Sequence, residues 1–326
     1  MARNRRRFVK GETYFITCRV KEGLPFVPNE YIRLIIGGVL ARAQELYPEV
    51  KVVASFVMGN HYHMIIYCAG NPPQISDFFQ YLNGQLSSIF HRLTGVAHDN
   101  FWADRFKCQP LLTAESIIDK IAYLYLNAVK ANLIDEVRYW EGFSSWGQFV
   151  DGKIRDYRWA TEAHVSQLPK GNFYNGQLKE LIESFKENSR AERPFNLSPY
   201  IWTREFAETR CLSDEAIKDR IIFLVQEGEK KYRAKRVAQK KRVVGVSCLR
   251  YQSIYKQYVS KDYRKTPLAI SSCVETLNYY KIVYWNFCEL CKRAWRALKT
   301  GSFDSPFPPG AFLPRSTPLS SIWFSP

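Results

Sequence analysis

No apolar run in the sequence approaches the roughly 20 residues that cross a bilayer. The basic start, Arg3 to Arg7, is followed by no apolar stretch, so it does not read as a secretory signal peptide. A Walker-type phosphate loop, an internal repeat and low-complexity tracts are all missing. The eight cysteines are scattered. Cys288 and Cys291 have CxxC spacing, but no second CxxC or histidine pair completes a zinc site. Buried thiols in a reducing compartment are expected, not a disulfide framework. These absences predict a cytoplasmic protein without a membrane segment or nucleotide cofactor.

Apolar residues make up 46% and aromatics 15%, which excludes a disordered chain. A length of 326 residues fits two domains or one enlarged one. The net charge of +16 is unevenly placed, with +3 in residues 1–150 and +13 in residues 151–326. The densest stretch, Lys230 to Arg242, carries eight basic residues in thirteen. Such density without acids points to a polyanion, because phosphate neutralisation drives nucleic-acid binding. The bland alternative is a solvated helix face. The N-terminal arginine cluster repeats the signal on a smaller scale. Candidate DNA contacts are Arg5, Arg6, Arg7, Arg105, Lys107, Lys235, Arg236, Lys240, Lys241 and Arg242. A core Trp102 with flanking surface cations is an equal reading for Arg105 and Lys107.

Thr13–Val20 is rich in β-branched and aromatic residues and reads as a strand. Asn29 reads as the N-cap of a helix over Tyr31–Tyr47. Val50–Met58 and His61–Cys68 read as a hairpin turning at Gly59-Asn60. A helix over Ile75–Leu93, a strand over Phe101–Leu112 and a helix over Ala114–Leu133 follow. The first six elements are those of a ferredoxin-like βαββαβ α+β sandwich with an antiparallel sheet, and the last helix is appended. Residues 1–150 are expected to form this domain. Residues 151–326 are expected to be a basic, mostly helical extension with a Pro-rich tail.

The chemistry concentrates in two segments. In His61-Tyr62-His63 both imidazoles project from the same strand face, because strand side chains alternate. Two such histidines make half of a divalent-metal site. Alone, the pair fits ordinary strand histidines equally well. Tyr123 and Asn127 share a helix face at i, i+4. A phenol can act as a nucleophile, and a carboxamide oxygen suits Mg2+ or Mn2+. Alone, this segment reads more simply as an amphipathic helix with Tyr on its core side.

Together, Met58-Gly59-Asn60-His61-Tyr62-His63 and Tyr123 to Asn127 resemble the HUH single-strand DNA transposases with one catalytic tyrosine, and especially the REP-associated tyrosine transposase branch. The resemblance covers about Arg7–Trp146. It implies that Tyr123 is the nucleophile and that His61, His63 and Asn127 hold Mg2+ or Mn2+. It also implies a metal-dependent single-stranded DNA endonuclease and strand transferase. Such an enzyme cuts at hairpin-flanked sites through a 5′-phosphotyrosine and rejoins the ends. Single-stranded or hairpin DNA would be the partner, the location the bacterial nucleoid, and the state a monomer or homodimer. Gly59 and Ala128 stand where the family has Pro, and Asn132 where it has Gly. Other readings are an HUH nickase of replication or conjugation, against which the missing Walker motif speaks, and a non-catalytic DNA- or RNA-binding derivative.

Overall fold

The computed structural model describes residues 5–96, 100–258, 266–302 and 305–312. The chain begins with strand β1 (Thr13–Arg19) and helix α1 (Glu30–Leu46). The Asn29 side chain accepts a hydrogen bond from the Ile32 amide at 3.0 Å, a cap worth about 1 kcal/mol. Strands β2 (Val50–Met58) and β3 (His61–Cys68) form the hairpin, followed by α2 (Pro73–Thr94) and β4 (Lys107–Leu111). Helix α3 (Ala114–Tyr125) starts with a reciprocal cap between Thr113 and Ser116.

The strands form one antiparallel sheet in the order β2-β3-β1-β4. Tyr14, Ile16, Tyr62 and Met64 point to the face covered by α1 and α2. Phe15, Ile65 and Tyr67 point to the opposite face, beneath α3. The strand expected from Phe101 is interrupted: Trp102 makes an isolated antiparallel bridge to Val20, with Lys21 N–H donating to Phe101 O and Ala103 N–H to Arg19 O at 2.9 Å, and the ladder with β1 resumes from Lys107. The Trp102 ring packs against Phe26 and Tyr62, and its Nε1 donates to the Asn83 carbonyl at 2.9 Å.

Helix α4 (Asn127–Lys130) continues α3 after a single intervening residue, Leu126. Asn132 then adopts a φ of +56°. Asparagine is among the residues that tolerate this left-handed position best. Helix α5 (Trp146–Asp151) leads to a two-stranded ladder of β5 (Arg155–Arg158) and β6 (Glu192–Phe195), with α6 (Asn175–Asn188) between them. The ladder is absent from the sequence reading because its strands are four residues long and mostly polar. It lies against α1, where Gly37 and Gly38 permit close approach. A Cβ at Gly37 would lie 2.2 Å from the Tyr157 ring, and one at Gly38 would lie 2.1 Å from the Arg158 carbonyl oxygen.

The remaining helices are α7 (Ala207–Arg210), α8 (Asp214–Ala238), α9 (Val246–Arg250) and α10 (Val274–Lys299). Residues after 150 enter both cores. Phe173, Leu178, Phe185 and Phe195 join the α1–α2 side. Trp202, Ile217, Ile221 and Val225 join the α3 side. Later chain also covers a sheet edge. Leu112 N–H donates to Ile270 O, and Ile270 N–H to Pro110 O, both at 2.9 Å, beside β4. None of the eight cysteines is disulfide-bonded. Four are buried, and Cys211 and Cys248 are exposed, contrary to the expectation of uniform burial.

Gly38→Ala is expected to cost about 1–3 kcal/mol, because a backbone carbonyl must move to admit the methyl group. Gly84→Ala, in α2 with nothing within 4 Å of the added Cβ, is expected to leave stability unchanged or to raise it. Thermal unfolding of both variants distinguishes steric crowding from helix propensity.

Candidate active site

His61 and His63 lie opposite Arg19 and Thr17 of β1, on the face beneath α3. Their ring centroids are 4.8 Å apart, and the rings are nearly perpendicular. Each ring has its Nδ1 engaged. His63 Nδ1 is 2.9 Å from Thr17 Oγ1, and His61 Nδ1 is 2.7 Å from Asn60 Oδ1. A carboxamide oxygen only accepts, so His61 carries its proton on Nδ1 and presents the Nε2 lone pair. Burial pushes the His61 pKa down to about 3, with Arg19 adding to the effect. Burial, reinforced by His61, Lys120, Arg19 and Lys130, holds His63 well below its ordinary value. Both imidazoles are therefore neutral near pH 7.

Helix α3 brings Tyr123 to this pair. Its ring lies 6.2 Å from that of His63 and 6.4 Å from that of Phe15. Phe15 also stacks on His63 at 5.1 Å. Asn127 is buried, and its Nδ2 donates to the carbonyls of Tyr123 (3.2 Å) and Leu124 (3.1 Å). Carbonyls only accept, so these bonds fix the amide orientation and leave Oδ1 as the uncommitted donor atom for a cation. Two neutral imidazoles and one carboxamide oxygen offer nitrogen and oxygen atoms of the kind that bind divalent cations. Among the described residues, no three His, Cys, Asp or Glu side chains converge on a metal position.

Three residues at the site escaped the sequence reading. Lys120 Nζ lies 4.6 Å and Lys130 Nζ 4.9 Å from the centroid of the Tyr123 ring. Helical spacing was the available signal, since residues three before and seven after Tyr123 share its face. Burial, and then Lys130, lowers the Lys120 pKa, while Asp119 opposes the shift. Thr17 also escaped, because only strand register places it opposite His63. Tyr125, by contrast, is fully buried. Its hydroxyl is 2.9 Å from Ser145 Oγ, and burial raises its pKa.

The basic candidates separate into two groups. Arg5, Arg6, Arg7, Arg105 and Lys107 line one cleft of about 180 Å3. Lys235, Lys240, Lys241 and Arg242 are exposed at and beyond the end of α8. Arg236 is a correction, because it is 6% exposed and ion-paired with Asp135. The fold turns that cation inward, away from any phosphate.

No family model matches the chain, and no curated protein matches it. A solved structure of a REP-associated tyrosine transposase bound to a REP hairpin is similar over 46% of this chain and 86% of its own, at 21% identity and a TM-score of 0.39. The side chains around Tyr123, not this likeness, carry the functional reading.

Buried neutral imidazoles have a further consequence. Below about pH 6.5 the unfolded chain binds protons that the folded His pair refuses, so stability falls as the pH drops toward 3. We expect the unfolding free energy to decline between pH 7 and pH 5, by up to about 1.4 kcal/mol per pH unit for each imidazole, with the melting midpoint falling in step. His61→Gln with His63→Gln should flatten that decline in melts across the pH series.

Proposed function

We propose that the chain is a transposase-like DNA-processing enzyme that cuts and rejoins single-stranded DNA with Tyr123 as nucleophile. The observation that carries this reading is the placement of Tyr123 beside a neutral histidine pair and between two lysines. The antiparallel sheet in the order β2-β3-β1-β4, with α1 and α2 on one face, supports a ferredoxin-like reading of the fold. Hairpin DNA is the partner this reading implies, and a monomer or homodimer the state.

Each residue has a role. Lys120 and Lys130 attract the phosphodiester and stabilise negative charge that develops on the Tyr123 oxygen. That oxygen loses its proton and bonds to phosphorus, the P–O3′ bond breaks, and the leaving 3′ oxygen takes up a proton. The product is a 5′-phosphotyrosine with a free 3′-OH. A second 3′-OH reverses the step and joins new ends, because the bond energy is retained. His61 and His63 through Nε2, and Asn127 through Oδ1, would hold Mg2+ or Mn2+. Such an ion supplies Lewis-acid polarisation of a non-bridging phosphate oxygen. Thr17 and Asn60 orient the two imidazoles for that task.

The test is incubation of the chain with labelled single-stranded hairpin DNA and Mn2+, followed by a denaturing gel. A covalent protein–DNA band is expected from the wild-type chain and none from Tyr123→Phe. Tyr125→Phe should keep the band while losing about 1 kcal/mol of stability with its buried hydrogen bond. Adduct from Tyr123→Phe would overturn the assignment of the nucleophile. A wild-type chain that binds this DNA without forming adduct would point to a non-catalytic derivative.

A further inference from the structure

Three rows cross β3 and β1 beneath α3. Ile65 is opposite Phe15, His63 opposite Thr17 and His61 opposite Arg19. Tyr123 lies over the first two rows, with its ring 6.4 Å from Phe15 and 6.2 Å from His63. Lys120 stands at the same end, its Nζ 5.3 Å from the Phe15 ring centroid. Arg19 occupies the other end. A strand rises about 3.4 Å per residue, which puts the Arg19 backbone roughly 7 Å beyond Thr17 and roughly 14 Å beyond Phe15. The His63–Thr17 row therefore stands between the Phe15 end and Arg19.

The end of β1 is clamped from both sides. Val20 N–H donates to Asn60 O, and Ala103 N–H donates to Arg19 O, both at 2.9 Å. Asn60 also fixes the His61 ring through its Oδ1. One turn residue thus anchors both the His61 tautomer and the strand end beside it. The Arg19 side chain is half-buried, and its charge helps depress the pKa values of His61 and His63. A guanidinium is a rigid fork of N–H donors with no acceptor, well matched to phosphate oxygens.

In-line attack at phosphorus puts the entering and leaving oxygens on opposite sides. Tyr123 enters from the Phe15 side, so the departing 3′ oxygen faces the His61 end. His61 presents a lone pair at Nε2, not a proton, and cannot donate to that oxygen. Lys120 and Lys130, at 4.6 Å and 4.9 Å from the Tyr123 ring, serve the entering oxygen. Arg19 is the cation on the leaving side.

We propose that Arg19 stabilises the departing 3′ oxygen, an assignment that rests on Tyr123 being the nucleophile. As the bond from the Tyr123 oxygen to phosphorus forms, the P–O3′ bond breaks and its electron pair goes to the 3′ oxygen. The guanidinium donates hydrogen bonds to that oxygen and keeps its own protons. Solvent takes the proton that Tyr123 loses and returns one to the 3′ oxygen. In the joining step the same contact positions the incoming 3′-OH.

A substrate with a better leaving group tests this. The phosphodiester that the wild-type full chain cuts in hairpin DNA is replaced by its 3′-S-phosphorothiolate, whose thiolate is a far weaker base and departs without a donor. Adduct rates are measured on both substrates in the same divalent cation. Arg19→Gln should slow adduct formation on the natural substrate by about 100- to 1,000-fold, the cost of losing one donor to a developing oxyanion. Most of that loss should vanish on the sulfur substrate. Arg19→Lys keeps the charge but not the fork, and should fall between wild type and Arg19→Gln with the same sulfur rescue. It carries the comparison if Arg19→Gln fails to fold in a thermal melt. Equal loss on both substrates, or no loss on the natural one, overturns the Arg19 assignment and leaves the Tyr123 reading standing. No adduct from the wild-type chain, or adduct from Tyr123→Phe, overturns both.

Discussion

The site depends on one sheet face being sealed beneath a helix that carries polar groups on its inner side. Ile117, Ile118, Ile121 and Leu124 of α3 are fully buried against that face. Each such side chain contributes about 1.5–3 kcal/mol on burial. That apolar contact holds the helix down at a position where Lys120, Tyr123 and Asn127 must also lose water. Desolvation then sets the chemistry. It keeps the imidazoles neutral and strengthens the influence of the lysine charges on the Tyr123 ring.

The second half of the chain makes that sealing possible. Helix α8 packs on the outer side of α3 and α4 through Ile217, Ile221 and Val225. Gly228 permits the approach, since a Cβ there would lie 2.2 Å from the Leu126 side chain. Arg220 pairs with Glu115, and Arg233 with Glu136. Exposed pairs of this kind are each worth little, so the apolar seam positions α8 and the ions trim its register. Part of the basic run is thereby spent on structure. Arg236 shows this most plainly, buried against Asp135.

Charge is concentrated more than the totals for each half suggest. The first 150 residues carry only +3, yet Arg19, Lys120 and Lys130 converge on the Tyr123 face, and four arginines and a lysine line the β4 cleft. Other acids of this half sit away from both places, as Glu30 and Glu45 do on α1, while Glu12 and Asp104 stay beside the cleft arginines. A modest net charge can therefore hide a strong local field for phosphate.

Much of the fold was legible because its signals are local. Strand alternation put His61 and His63 on one face, helical spacing put Tyr123 and Asn127 on another, and Asn29 marked the start of α1. The β5–β6 ladder was not legible, because four polar residues carry no periodicity. The burial of Tyr125 against Ser145 needed the packed molecule. The sequence by itself determined which residues can do chemistry and which neighbours share their face. Only the tertiary structure decided that Thr17 orients His63, that Lys120 and Lys130 flank Tyr123, that Arg236 is withdrawn, and that the N-terminal arginines meet α10. These are contacts between segments distant in sequence or on separate elements, and they are set by strand register and close packing, which no local pattern encodes.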